Sequence, residues 1–301
     1  MTLIFENAGQ LRDVTCSYYA NNDFERIERI IETVQMEVSA VIGDNTMKWI
    51  TSGDGRTSDA WLACATAIGY MAVMRYSRLN DMSHEDEGRK LKMDRENEAR
   101  PFEWQMARDE RAHLEEYYRA LDRLLYLLHD NPMFRTTRRW QLAQRLIIGD
   151  AATLSWLTGV SESPWLYFQL VPFMADSQHF VEKAFGTAFA SANFQTIADE
   201  GSVEYAAQKA VALGAIALMG RRTTLQQLPY GLMSLFENDG GGNRREISSI
   251  ARINEYLQHL SKEQHYWLNE MRVLRDRQSD QEAATYLQMP ENDAHNKYIR
   301  L

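Results

Sequence analysis

A chain of 301 residues that is 45% hydrophobic and 25% charged can bury a substantial core, in one large domain or two, and is not disordered throughout. Its 33 basic and 42 acidic residues leave a net charge of −9, which disfavours a general nucleic-acid-binding module or attachment to anionic membrane.

The opening Met1-Thr2-Leu3-Ile4-Phe5-Glu6 lacks the basic region and long apolar run of a signal peptide, so export by that route is not expected. The first strong helix is predicted to start near Asn22 or Asp23, with Glu25 placed for a capping box if Asn22 is the cap, and to stop at Gly43. Phe24, Ile27, Ile31, Val34, Val38 and Val41 fall on one face, while Glu25, Arg26, Glu28, Arg29 and Glu32 stay in water. Ser52-Gly53-Asp54-Gly55 reads as a flexible link to a second helix, about Ser58 to Leu79, that is apolar nearly all round and belongs in the middle of a bundle. Its small residues Ala63, Ala65, Ala67, Gly69 and Ala72 let neighbours come close. The run Trp61 to Met74, 14 residues before Arg75, is too short to cross a bilayer. The two cysteines, Cys16 and Cys64, have no metal or CxxC spacing and read as free thiols, Cys64 in the core.

Residues 81–100 are strongly charged, and the alternation Arg89-Lys90-Leu91-Lys92-Met93 fits a strand or projecting hairpin as well as a solvated loop. A third long helix is predicted from Pro101 to the stop at Asn131-Pro132, with Leu114, Tyr117, Leu121, Leu124 and Leu128 as its stripe. Ser163-Pro164 reads as N-cap and first helical position of a helix reaching Phe185, with Pro172 predicting a kink or a later start. Residues 203–219 form another Ala-rich buried helix; Leu225 to Phe236 and then Gly240-Gly241-Gly242 interrupt the chain. The last helix, about Arg244 to Arg277, carries Ile247, Ile250, Leu257, Leu260, Trp267, Met271 and Leu274 on a heptad-like stripe. Beyond Ser279 the periodicity fades into a polar tail ending in Tyr298, Ile299 and Leu301.

The second half echoes the first. An ungapped offset of 143 residues lays 146–186 over 3–43, matching Leu146-Ile147 to Leu3-Ile4, Ala151 to Ala8, Leu154 to Leu11, Thr158 to Thr15, Val181 to Val38 and Gly186 to Gly43. At a slightly changed offset of 145, Gly214 matches Gly69. A period this long implies two copies of a domain-sized unit. The expected fold is therefore mainly α: a helical bundle of two pseudo-repeated three-helix units with long helices, plus short strand or hairpin insertions. Its divisions are 1–140, carrying the charged loop 81–100, then 141–278, then an extended tail 279–301.

Reaction chemistry is sparse. Glu110 and His113 have the Glu-x-x-His spacing of di-iron bundles and Asp176 with His179 comes nearest to a second pair, but the further inward glutamates such a site needs are missing. There is no GxSxG elbow, and the glycine runs lack the Lys-Ser/Thr of a phosphate loop. The basic groups Arg135/Arg138/Arg139, Arg221/Arg222 and Arg244/Arg245 read as helix-end or solvated charges, with patches for acidic neighbours or DNA as the alternative. Trp61, Trp104, Tyr117 and Trp267 read as core, not as a stacking platform for bases.

Taken in order, Leu3-Ile4-Phe5, the Phe24 to Ile42-Gly43 helix, Trp104-Gln105, Tyr118-Arg119-Ala120-Leu121-Asp122, Ser163 followed by Leu170 and Pro172, and Leu228-Pro229-Tyr230-Gly231 resemble an uncharacterised helical family carried by phages and prophages of gut bacteria. The likeness covers roughly residues 3–275. It implies a virion structural protein similar to head–tail connector adaptors, ring subunits that join the portal to the tail and surround the DNA channel. It brings no catalytic residues and no cofactor, so no enzyme is expected. The implied partners are further copies of the chain in a ring, the portal and other tail or connector proteins, and packaged DNA passing through the lumen without sequence-specific binding, with no membrane. The implied location is the head–tail interface of the virion, and the host cytoplasm during assembly. Arg89, Lys90 and Lys92 in the charged connection and Tyr298, Ile299 and Leu301 in the tail are the candidate interface residues. The alternatives are a soluble helical adaptor or regulatory interaction protein and, behind it, a di-metal carboxylate enzyme.

Overall fold

The structure, a computed structural model, describes residues 2–16, 24–80, 82–85, 88–91, 102–186, 189, 194, 199–223 and 250–286. The protein is mainly α, and its described residues fall into two compact units. One takes in Met1–Gln144 and Ser163–Gln169; the other takes in Arg145–Glu162 and the described residues from Leu170 onward. Among the described residues no helix is long and apolar enough to cross a membrane.

The first unit starts with an extended segment whose Ile4 and Phe5 are buried. Such a segment has no helix of its own to satisfy its backbone, and Gln35 supplies the missing partners. The Ile4 N–H donates to Gln35 Oε1 at 2.9 Å, and Gln35 Nε2 donates to the Thr2 carbonyl at 2.8 Å. Helix α1 (Ala8–Thr15) follows, with Asn7 as its N-cap, accepting from the Gln10 N–H at 3.0 Å, and Cys16 in the left-handed region at φ 54° closing it. Helix α2 (Phe24–Ile42) buries Ile27, Ile31, Val34, Val38 and Ile42, and also Gln35. The expected cap at Asn22 or Asp23 lies outside the described residues, while Gly43 turns the chain at φ +88° where the stop was predicted.

Helix α3 (Asp44–Thr51) begins directly after that turn, and Ser39 Oγ donates to Asp44 Oδ1 at 2.7 Å across it. The glycine-rich link is corrected: Gly53–Thr57 is a 3₁₀ helix, and Gly55 is buried so tightly on α3 that a Cβ there would lie 2.0 Å from the Trp49 carbonyl oxygen. Helix α4 (Asp59–Asn80) is the central rod, with Ala63, Cys64, Ala65, Ala67, Ile68, Ala72 and Met74 buried. Gly69 lets α1 lie close against it, since a Cβ would come within 2.7 Å of Thr15 Cγ2. Two strands, β1 (Met82–Glu85) and β2 (Gly88–Leu91), form an antiparallel hairpin, with Ser83 opposite Lys90 and His84 opposite Arg89.

Helix α5 (Glu103–Leu127) returns along α4. Pro101, its expected first residue, lies outside the described residues. Leu121, Leu124 and Leu128 are fully buried, as the stripe requires. Asn131 caps the short α6 (Pro132–Arg135) and Thr137 caps α7 (Arg138–Ala143). Phe134 of α6 lies edge-on to both Trp140 and Phe168, with ring centroids 5.7 Å apart in each pair.

The second unit opens with another extended segment, in which the Ile147 N–H donates to Gln178 Oε1 at 2.9 Å and Gln178 Nε2 donates to the Arg145 carbonyl at 3.3 Å. Gln208 Nε2 adds a bond to the Ile147 carbonyl at 3.0 Å. Helix α8 (Ala151–Thr158) is capped by Asp150, which accepts from the Thr153 N–H at 2.7 Å, and Gly159 closes it at φ +72°. Helix α9 (Pro164–Phe185) starts and stops where Ser163-Pro164 and Phe185 predict and contains Pro172, so of the two alternatives offered for that proline the later start does not hold. Its first turn is held in place by α5: Asp122 Oδ1 accepts from the Ser163 hydroxyl and the Trp165 N–H, both at 2.8 Å. That outside cap anchors the helix ahead of the proline.

Helix α10 (Val203–Thr223) buries Ala206, Ala207, Ala210, Val211, Ala212 and Ala215 and packs along α11 (Ile250–Tyr286). Glycines set their separation: a Cβ at Gly214 would lie 2.1 Å from Gln264 Nε2, and one at Gly220 would lie 2.4 Å from Leu257 Cδ2. Leu213, Ala217, Leu257 and Leu260 form the core between them, with Trp267 against it. Three arginines fasten this unit: Arg221 donates to Ser261 Oγ, Arg222 pairs with Asp176, and Arg275 donates to the Ala184 carbonyl in the last turn of α9. Helix α11 continues past Ser279 to Tyr286, correcting the expected start of the tail, because Gln281, Glu282, Ala283 and Ala284 are strong helix formers whether or not a stripe persists. Ile247, Gly240 to Gly242 and Leu225 to Phe236 lie outside the described residues.

Candidate interaction surface

The charged connection leaves from the end of α4 and returns at the start of α5, and here the first unit presents apolar side chains to solvent. Leu79 is 65% exposed, Phe102 67% and Trp104 42%. Phe102 and Trp104 stack, with ring planes 9° apart and centroids 6.4 Å apart. The stack sits on a stiff base: the Phe102 N–H donates to Gln105 Oε1 at 2.9 Å, one half of a capping box that fixes the entry of α5. The reading of Trp104 as core is thereby corrected; it lies in the first turn of α5, beyond the part of the helix that α4 covers, whereas Tyr117 is buried as expected.

Beside the stack runs a groove of about 460 Å³ lined by Met74, Ser77, Arg78, Gln105, Met106, Asp109 and Glu110. Arg78 and Glu110 clasp each other across it with two parallel bonds, Nε to Oε1 at 2.7 Å and Nη2 to Oε2. This fork geometry ties α4 to α5 and neutralises the groove floor. Apolar stack, thioether lining and neutralised floor together suit an apolar segment of another chain, since thioethers adapt to irregular partners and aromatics supply contact area with few rotamers to freeze.

The candidate metal pair does not converge. Glu110 is committed to Arg78, while His113 is buried, its Nδ1 at 2.9 Å from the Asp109 carbonyl and its ring edge-on to Tyr70 at 5.6 Å. Asp176 pairs with Arg222, and His179 stands exposed beside Glu182. Among the described residues no cluster of three or more His, Cys, Asp or Glu side chains could hold a metal ion. Burial pushes the Cys64 thiol far up, so it stays protonated in the core, while Cys16 is exposed.

Of the candidate interface residues, Arg89 and Lys90 lie on β2, one connection away from the stack. Lys92, Tyr298, Ile299 and Leu301 lie outside the described residues. The aromatic stack itself was not singled out from sequence. The sequence carries no clear signal for it, since Phe102 and Trp104 precede the apolar stripe of α5 as core aromatics also would. Comparison with protein-family models, with curated proteins and with solved structures gave no match.

Proposed function

We propose that the protein is a virion structural protein, a head–tail connector or adaptor ring subunit that joins the portal to the tail and surrounds the DNA channel, built from two related units. The observation that carries the reading is the exposed Leu79, Phe102 and Trp104 surface with its groove, placed at the end of a rigid helix pair where a hairpin leaves the body. A ring subunit needs stiff rods with contact surfaces at their ends, because neighbours must be held at a fixed distance and angle. The net charge of −9 agrees with a lumen along which DNA slides without sticking.

The duplication is supported by local geometry at the 143-residue offset. Ile4 with Gln35 and Ile147 with Gln178 make the same amide clamp, each with an N–H to Oε1 bond of 2.9 Å. Asn7 and Asp150 cap helices of the same length, which end at Thr15 and Thr158 with left-handed residues after them. Thr15 and Thr158 both donate their hydroxyls back to a leucine carbonyl one turn earlier. Side-chain-to-backbone bonds of this kind are specific to residue type and spacing, so their joint recurrence favours descent of both units from one.

Negative-stain imaging and mass photometry of the full chain, alone and with the portal protein of the same phage, test the function. Rings, or oligomers formed on the portal, are expected. A chain that stays monomeric with the portal and is absent from purified virions by mass spectrometry overturns it. Capture instead of one cellular protein through the Phe102 and Trp104 surface would favour the soluble adaptor.

A further inference from the structure

From Pro132 to Arg145 the chain carries Arg135, Arg138, Arg139 and Arg145 and no acidic residue, although the protein as a whole is acidic. The three arginines of α6 and α7 are not equivalent. Arg135 is satisfied, bonded to the His129 carbonyl at 3.0 Å and to Asp130 at 2.5 Å, and lies over the Trp140 ring. Arg138 is exposed. Arg139 lies over the Trp165 ring, its carbon 5.8 Å from the centroid, with Nη1 buried and without a hydrogen-bond partner. Among the described residues neither Arg138 nor Arg139 has a carboxylate partner. The nearby Asp122 is committed to the Ser163 hydroxyl and the Trp165 N–H. With the Arg139 Nη1 buried, the guanidinium open to an outside carboxylate is that of the exposed Arg138, and Arg139 adds like charge beside it. Exposed Met133 and Leu142 on the same two helices add the apolar component found around interface hot spots.

The complementary charge lies in the other unit. Residues 184–208 contain no Lys or Arg, and Asp199 and Glu200 are exposed just before α10, with Glu204 in its first turn. We infer that the Arg138 and Arg139 face of one copy docks on the Asp199, Glu200 and Glu204 end of α10 in the next copy. This rests on the ring reading and names the contact that would build it. Two arginine faces meeting each other repel, so the contact pairs an arginine face with an acidic end; repeated head to tail, such contacts propagate around a ring when the rotation between copies closes.

The test is a charge exchange in the full chain, followed by sedimentation velocity at low and high salt, with circular-dichroism melting as the check on folding. Arg138→Glu with Arg139→Glu, and separately Asp199→Arg with Glu200→Arg, are each expected to reduce assembly about tenfold or more, while the fourfold exchange restores it to within about threefold of the parent. If Arg139→Glu disturbs Trp165, Arg138→Glu with Arg139→Gln replaces it in the same exchange. Assembly that is unchanged in both double variants, or that the exchange does not restore, overturns this contact while leaving the connector reading standing. A parent chain that never assembles, alone or on the portal, overturns both.

Discussion

Gly55 shows how a residue that looks like slack in a sequence can be a fixed packing element. Its flank reads as a linker, yet the Trp49 carbonyl occupies the space where a Cβ would go. Gly55→Ala should therefore lower stability by about 2–3 kcal/mol, whereas Gly149→Ala, with open space around it and no left-handed φ, should change it by less than about 0.5 kcal/mol. Thermal and urea denaturation of the two variants checks the contrast. Asp122 makes a second residue-scale prediction. Burial raises its carboxyl above the ordinary aspartate range, outweighing the Trp165 and Ser163 hydrogen bonds that pull it down. A raised folded-state value means that the fold disfavours ionisation, so its contribution is full below the ordinary aspartate range and declines as pH rises through the raised value. Asp122→Asn keeps an acceptor for Ser163 and Trp165 but cannot ionise. Urea titrations at about pH 3 and about pH 7 should show the parent losing ground to this variant at the higher pH. The reverse trend would mean that the α9 dipole, which favours an anion at this cap, dominates.

At the scale of elements, the long rods were legible and the short ones were not. Helices α2, α4, α5, α9, α10 and α11 span enough turns for an apolar stripe or an Ala-rich run to stand out, and Gly43 marked the end of α2 and Ser163-Pro164 the start of α9. Helices α1, α3, α6, α7 and α8 have eight residues or fewer and are defined by caps and by what they pack on, so periodicity had little to register. The exposed stack was hidden for a related reason: an aromatic residue looks alike in sequence whether a neighbour covers its turn or not. The clamps were invisible as well, since nothing in Gln35 or Gln178 announces a bond to residues more than thirty positions away. Gln35→Ala should strand the Ile4 N–H and cost about 2–3 kcal/mol, and Gln178→Ala should act alike on Ile147. Hydrogen exchange should then rise at the Ile4 amide in the first variant and at the Ile147 amide in the second. Replacing Phe102 and Trp104 together by Ser should leave the melting temperature within about 2 °C, because both are already wet, while sharply reducing assembly or partner capture.

For the whole molecule, the place where the chain is divided matters. A cut at Gln144 follows the sequence repeat but removes Ser163, Trp165 and Phe168, which bond or pack to Asp122, Arg139 and Phe134 of the first unit. Fragment 1–169 should accordingly resist limited proteolysis better than fragment 1–144. Equal resistance would mean that those contacts add little. The second unit carries a different kind of lesson in its paired helices. Gly220 faces Leu257 and Gly214 faces Gln264, so the two side chains of α11 enter notches in α10 set six residues apart, about 9 Å along the axis. A helix seated in two notches cannot slip by a turn without driving a side chain into backbone. Axial thrust on α11 is therefore delivered to α10 without backlash, as a keyed shaft delivers torque to its hub.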